Sequence, residues 1–275
     1  MNEGSMRRLK GVLAGTALLL LLAAPALAAP VGPSLSWDRC FGDGGGRNKA
    51  FACDTNTGSE RLVVSFVPDT ALATVIGASF HVLLQAHDAV MPSWWEFRNP
   101  GSCRTNSLST LNVLPPGSSA CVDWGAGLAA GNVGAYKEIF ANAREIAAAF
   151  AVPSNAAATL EPGQEYYFAS LTINHAKTVG AGACGGCTSP VCLLIEDVQI
   201  EGLLLPFTRY YAGTNGPLAN QLVTWEDGLV TDYTSSCAPH PATGVPVCGF
   251  SYACTLSGPT GSRGSTWGAV KAIYR

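Results

Sequence analysis

Alternation of apolar and polar side chains marks two long segments of the chain as β-strands. In residues 76–86 every second side chain is small or apolar, and the positions between them include serine, histidine and glutamine. Residues 165–175 alternate in the same way. A period of two places alternate side chains on one face of a strand, so each segment should cover a core with one face. Shorter apolar runs at 61–67, 192–201 and 221–225 predict further strands.

Residues 133–151 follow a different period. Apolar side chains recur there at spacings of three and four, and the charged residues 137, 138, 144 and 145 fall between them. This pattern is typical of an amphipathic helix, which Pro153 would end. The predicted fold class is therefore all-β: a two-sheet, jelly-roll-like β-sandwich with one amphipathic helix inserted. No repeat or long linker divides the chain, so one domain is expected over residues 30–256.

The first 29 residues have the three-part pattern of a secretory signal peptide. A basic stretch at residues 7–10 precedes an uncharged apolar run at 11–24, and residues 26–28 read Ala-Leu-Ala. We therefore expect residues 1–29 to be removed and the mature protein to be secreted, either extracellular or periplasmic, with no membrane insertion after cleavage. Their removal changes the formal net charge from −3 to −5. Such a sparsely charged, acidic chain has no basic footprint for nucleic acid.

Ten cysteines in an exported chain predict a disulfide framework. Two local bridges are expected, Cys40–Cys53 and Cys103–Cys121, because each pair flanks a glycine-rich loop. The other six cysteines form two groups of three, so at least one bridge should join the groups, and their pairing otherwise stays open. These six are Cys184, Cys187, Cys192, Cys237, Cys248 and Cys254.

The segment Cys184-Gly185-Gly186-Cys187 has the spacing of a redox pair, and with Cys192 and His175 it could form a zinc site. A redox pair needs a helix N-terminus to lower the thiol pKa, whereas this segment lies in a glycine-rich loop between two predicted strands. Structural disulfides are therefore favoured, and an extracellular thiol oxidoreductase is a weaker alternative.

Two further segments suggest ligands. Asp54, Asn56 and Glu60 place oxygens at alternate positions, as a calcium loop does, although the same residues also make ordinary polar turns. Trp94 and Trp95 follow a predicted strand, and adjacent residues of a strand face opposite ways. One indole is therefore expected in the core and the other at the surface, where it could stack on a sugar beside Glu96, unless both are core residues. Apart from the calcium hypothesis, no cofactor is predicted.

No catalytic residue is assigned from the sequence. Motifs for a nucleophile elbow, a zinc protease and a phosphate-binding loop are all absent. Glycoside hydrolysis needs a pair of carboxylates, which could come from Glu96, Glu196, Asp197 or Glu201. The leading hypothesis is a secreted, non-enzymatic binding or structural module at the cell exterior, with a carbohydrate or another surface component as its ligand. A secreted hydrolase acting on glycans is the alternative.

The end of the chain offers one resemblance. Residues 267–275 read WGAVKAIYR and resemble a WGxVKxxYR tail that closes many uncharacterised secreted bacterial proteins. The resemblance implies a bacterial source and a terminal packing or surface-docking element, without implying an activity. Residues 257–265, rich in glycine and serine, are predicted to tether this tail to the domain.

Overall fold

The computed structural model describes residues 30–97, 100–204, 208–211, 217–239 and 246–256. The predicted signal peptide and the C-terminal tail lie outside these ranges. The strands are β1 (Gly32–Trp37), β2 (Asn48–Lys49), β3 (Ser59–Val67), β4 (Leu72–Ala86), β5 (Leu108–Leu111), β6 (Cys121–Asp123), β7 (Ala130–Phe140), β8 (Ala143–Ala151), β9 (Ala158–Leu160), β10 (Glu165–Asn174), β11 (Val191–Gly202), β12 (Thr208–Tyr211), β13 (Leu222–Trp225), β14 (Gly228–Pro239) and β15 (Pro246–Leu256). A single-turn helix, α1 (Leu218–Gln221), precedes β13.

Two sheets pack against each other to form the body of the protein. The smaller sheet has the order β1–β3–β10–β5, and β6 runs parallel to β10. The larger sheet has the order β2–β13–β11–β4–β8–β7, with β12 beside β11 and β9 beside β4. A separate pair, β14–β15, forms a two-stranded antiparallel sheet. This architecture confirms the predicted all-β, two-sheet sandwich. No helix in the described part of the chain is long and apolar enough to cross a membrane.

The core lies between the two sheets. From β4 of the larger sheet, Phe80 and Val82 are fully buried, and from β3 of the smaller sheet, Val64 and Phe66 join them in one apolar cluster. The alternation predicted for residues 76–86 is therefore confirmed. Since β4 directs its even-numbered side chains from 78 to 86 inward, the odd-numbered ones lie on the outer face of the larger sheet.

Residues 133–151 form a β-hairpin, and the predicted amphipathic helix is wrong. Strands β7 and β8 pair antiparallel, and β8 in turn pairs with β4. Two register shifts interrupt β7, one between Val133 and Ala135 and the other between Glu138 and Phe140. The first shift lets Val133 and Tyr136, three residues apart, both enter the core. A bulged strand therefore reproduced the spacing of a helix.

Four disulfides connect the described elements, and they contradict both predicted local bridges. Every bridge spans a long stretch of chain, from 62 to 134 residues. One of them joins the two predicted groups of three, as expected. The bridges are Cys40–Cys121, Cys53–Cys187, Cys103–Cys184 and Cys192–Cys254.

The last bridge attaches the β14–β15 sheet to the larger sheet of the sandwich. Cys192 lies near the start of β11, and Cys254 lies on β15. Cys237 and Cys248 are direct partners in the register of β14 and β15. The sequence analysis left the pairing of these two cysteines open, and the register makes their main chains neighbours.

Candidate functional site

The two adjacent tryptophans belong to the core. Residues Ser93–Trp95 form a turn of 3-10 helix, and Trp94 and Trp95 are both fully buried. Both indoles pack against Trp225, with ring centroids 5.3 Å away in each case. The expectation that one of these rings is exposed is therefore wrong, and neither offers a platform for a sugar.

Buried arginines hold the segment around the tryptophans. The guanidinium of Arg104 stacks on Trp94, 3.6 Å from its ring centroid, and donates to backbone carbonyls including that of Trp94. The side chain of Arg144 forms an ion pair with Glu96. Glu96, the third residue of the predicted glycan site, therefore acts in a structural contact.

The three predicted calcium ligands make separate contacts. The side-chain oxygen of Asn56 accepts hydrogen bonds from the backbone amides of residues 178 and 179 at 2.7 and 3.0 Å. Glu60 lies 3.0 Å from Nε2 of His175 through one oxygen and pairs with Lys49 through the other. Asp54 is exposed on the loop before β3. Asn56 and Glu60 thus use their oxygens to hold two loops together, and the arrangement does not support calcium binding.

The CGGC segment contains no thiol pair. Cys184 and Cys187 bond to two different, distant cysteines, which supports the structural interpretation of both. Elsewhere, Cys40, Cys121 and Asp43 lie close enough together to suggest a metal site. The two cysteines are bonded to each other in a disulfide, so their sulfurs cannot act as thiolate ligands.

A shallow groove crosses the outer face of the larger sheet, and we call it the outer trough. Its volume is about 390 Å³. A second hollow of about 300 Å³ continues it past Ser79 and Ala149 towards Glu201. Small side chains from three neighbouring strands form the floor, so the main chains are covered by little more than methyl groups. The floor consists of Ser79, Gly134, Ala135, Ala147 and Ala149, and His81 and Gln199 border it.

Three carboxylates adjoin one end of the outer trough and form what we call the acidic cluster: Glu145, Glu196 and Asp197. A β-bulge creates it, because Ile195 pairs with Val82 and Asp197 pairs with His81, which leaves Glu196 as an extra residue. The imidazole Nδ1 of His81 lies 2.8 Å from Oδ1 of Asp197. Glu145 stands on β8 opposite Leu83, the next outward position of β4 after His81.

The acidic cluster changes the protonation of Glu196. Burial, followed by the charges of Glu145 and Asp197, raises the pKa of Glu196 to about 7, and His81 acts in the opposite direction. A half-buried carboxyl among other carboxylates favours its neutral form, since ionisation would place like charges together away from water. At neutral pH this group can therefore donate or accept a proton, and it can respond to a cation brought nearby.

Sequence reasoning identified Glu196 and Asp197 as candidate carboxylates but missed His81, Glu145 and the trough. These residues could not be grouped from the sequence, because they lie on strands β4, β8 and β11, which are far apart in the chain. Of the other two candidates, Glu96 pairs with Arg144, and Glu201 lies at the far hollow of the trough. The small outward-facing alanines of β8 were a signal for the trough, but the spacing of the apolar residues in this segment had been interpreted as that of a helix.

Comparison with known proteins provides no further guide to this site. No protein family, no curated protein and no solved structure matches the chain.

Proposed function

We propose that the protein is an exported binding module whose ligand is a glycan that lies in the outer trough. The observation that carries this proposal is the placement of the acidic cluster beside a groove with a floor of small side chains. Carboxylate, amide, imidazole and hydroxyl groups at the border can bond to sugar hydroxyls, and alanine methyl groups can contact the C–H face of a sugar ring.

The charges of the acidic cluster favour one subclass of glycans, those with free amino groups. An ammonium group placed near Glu145, Glu196 and Asp197 would relieve the repulsion that keeps Glu196 protonated. It would also form charge-assisted hydrogen bonds, which are stronger than neutral ones. An oligomer of glucosamine should therefore bind more tightly than the matching oligomer of N-acetylglucosamine.

Calorimetric titration of the full mature chain with both oligomers tests the proposal. Binding of the glucosamine oligomer should weaken several-fold in Glu196→Gln and in Ala149→Leu, which fills the trough. Two matched variants at exposed positions outside the trough, Glu161→Gln and Ala52→Leu, should bind like the native protein. Equal affinity for both oligomers would remove the preference for free amino groups, and binding of neither would remove these glycans as the ligand.

A second candidate, a glycan hydrolase, is favoured by one observation. Glu196 has the raised pKa of a general acid, and Glu145 stands two strands away on the same face, roughly 10 Å apart by strand spacing. This spacing is between main chains, and side chains that lean towards each other would bring the two carboxyl groups into the range of roughly 6.5–9.5 Å used by a mechanism that inverts the sugar. Release of reducing ends from the same oligomers, abolished in Glu196→Gln and in Glu145→Gln, would support this activity. Intact oligomers after prolonged incubation would exclude it for these substrates.

A further inference from the structure

The C-terminal segment 257–275 has a charge opposite to that of the acidic cluster. It contains Arg263, Lys271 and Arg275 and no acidic residue. It also contains Trp267 and Tyr274, which are large enough to fill a groove with a floor of alanine and glycine. The segment thus combines cationic and aromatic side chains.

The segment leaves the domain on the side of the sheet that contains the trough. Leu256 is the last residue of β15 and lies two positions beyond Cys254, which is bonded to Cys192. Cys192 and Leu194 pack with Leu83 on the outer face of the larger sheet. From Cys192 to Gln199, at the border of the trough, β11 rises roughly 23 Å at the usual 3.3 Å per residue.

The tether is long enough for this distance. Residues 257–265 span at most roughly 30 Å when extended, and a flexible chain of that length has a root-mean-square reach of about 16 Å. Trp267 follows the tether by two residues. It can therefore reach the trough without any movement of β14 or β15.

The charges on the outer face favour a basic occupant. Besides the acidic cluster, Glu201 faces the same groove. One base stands in register at its border, Lys137 opposite Glu145. The carboxylates named here outnumber this base even when Glu196 is neutral, so this face is acidic, and the half-buried cluster is screened by salt less than an exposed one would be.

We infer that the tail of this chain, residues 266–275, docks in the outer trough and competes there with the external ligand. Trp267 lies on the small-residue floor, and Lys271 pairs with the acidic cluster. This inference rests on the proposed function only for the competition; the docking itself needs no external ligand. Because a tethered segment acts at a high local concentration, even weak contacts would keep the trough occupied.

Tryptophan fluorescence of the full mature chain tests the docking. The chain has six tryptophans, and the five in the described ranges are each at most 3 % exposed. Quenching by acrylamide, compared between the native chain and Trp267→Phe, therefore reports on Trp267. We expect Trp267 to be shielded in the native protein and to be quenched several-fold more strongly in Glu196→Gln and in Ala149→Leu. Glu161→Gln and Ala52→Leu should leave it shielded.

Carbodiimide coupling provides a second readout that does not depend on a substitution in the sheet. It should join Lys271 to a carboxylate of the acidic cluster within one chain, as identified by mass spectrometry of a mixture of isotopically light and heavy protein. Bonds between light and heavy chains would show that a second copy occupies the trough, and would overturn the inference. Quenching of Trp267 as strong as in a free peptide of residues 257–275 would overturn it too.

Ligand binding separates this inference from the proposed function. If the tail competes, the full-length variant Trp267→Ala, Lys271→Glu should bind the glucosamine oligomer several-fold more tightly than the native chain. If Trp267 is shielded and neither protein binds the oligomer, the docking of the tail is supported and the proposed function is contradicted. If the oligomer binds while Trp267 is exposed, the proposed function is supported and the docking is contradicted.

Discussion

Replacement of Glu196 by glutamine should remove one component of the pH dependence of folding. In the folded protein the pKa of this carboxyl is raised to about 7, from an ordinary value of 4.5. Between these two values the folded state binds a proton that the unfolded state has lost. Glu196 therefore contributes stability that is fully present below pH 4.5 and is lost as the pH rises through 7. The gap between the two pKa values corresponds to about 3 kcal/mol of unfolding free energy, at 1.36 kcal/mol per unit.

Urea unfolding of the oxidised protein at a series of pH values, from about pH 4 to about pH 9, measures this contribution. The background should be the full chain with Arg263, Lys271 and Arg275 replaced by glutamine, so that no tail cation reaches the carboxylates. Adding Glu196→Gln to that background should leave stability nearly unchanged at the acid end. At the alkaline end the variant should be more stable by about 3 kcal/mol, because it has no carboxyl to ionise.

Groups that do not interact with Glu196 contribute equally to both proteins. Burial also raises the pKa of Glu165, but Glu165 is present in both proteins and its effect cancels. Glu161→Gln removes an exposed carboxylate and should give a curve parallel to that of the background. Parallel curves for Glu196→Gln as well would refute the proposed environment of this residue, and with it the basis of the acidic cluster.

Three further substitutions test the packing that supports the site, each by urea unfolding. Joint replacement of Cys53 and Cys187 by alanine opens a bridge whose loop the other disulfides already shorten, and it should cost about 4 kcal/mol in the chain-entropy model. A loss below about 1 kcal/mol would contradict that bridge. Arg104→Lys loses the planar guanidinium that donates to several backbone carbonyls and stacks on an indole, and it should lower the free energy of unfolding by about 2–4 kcal/mol. An unchanged urea midpoint would show that these hydrogen bonds are unimportant for stability. Gly131→Ala would place its Cβ 2.1 Å from a backbone oxygen of β8 and should cost about 1–3 kcal/mol. Gly134→Ala, with its nearest neighbour at 3.9 Å, should not destabilise the protein. Equal losses in the two variants would contradict the close approach of β7 to β8.

The strands were predictable where the period of two was intact. β4 keeps strict alternation over residues 78–86, and the sequence alone identified its buried face. β10 shifts register between Tyr167 and Ala169, so Phe168 and Ala169 both join the core. Its existence was predicted, but the assignment of its faces failed at the bulge. Bulges depend on the partner strand, and one strand's sequence does not specify them.

The prediction for the tryptophan pair was wrong for a related reason. The prediction of opposite faces assumed a strand, in which successive side chains differ by half a turn. Ser93–Trp95 is instead a 3-10 turn, in which successive residues differ by a third of a turn, so neighbouring indoles can both face the core. Likewise, the disulfides join segments up to 134 residues apart, and spacing along the chain could not identify such partners. The number and spacing of the cysteines predicted correctly that disulfides exist and that one of them joins the two groups of three cysteines.

The floor of the outer trough is not explained by the needs of the sheet, and this supports a functional role for it. Glycine and alanine are poor strand formers, yet they occupy exposed positions of β7 and β8 such as Gly134 and Ala149. Gly131 is required by close packing, and Gly134 is the extra residue of the β7 bulge, but Gly134 has space for a side chain and does not adopt a positive φ. Larger β-branched residues there should improve the strand by up to about 1 kcal/mol each. We therefore expect Gly134→Thr together with Ala149→Thr to raise the thermal midpoint while exposing Trp267 and weakening oligomer binding. A trade of function for stability in this direction is common at binding sites. If the variant is less stable than the native protein, or if the exposure of Trp267 is unchanged, the small residues are present here for packing alone.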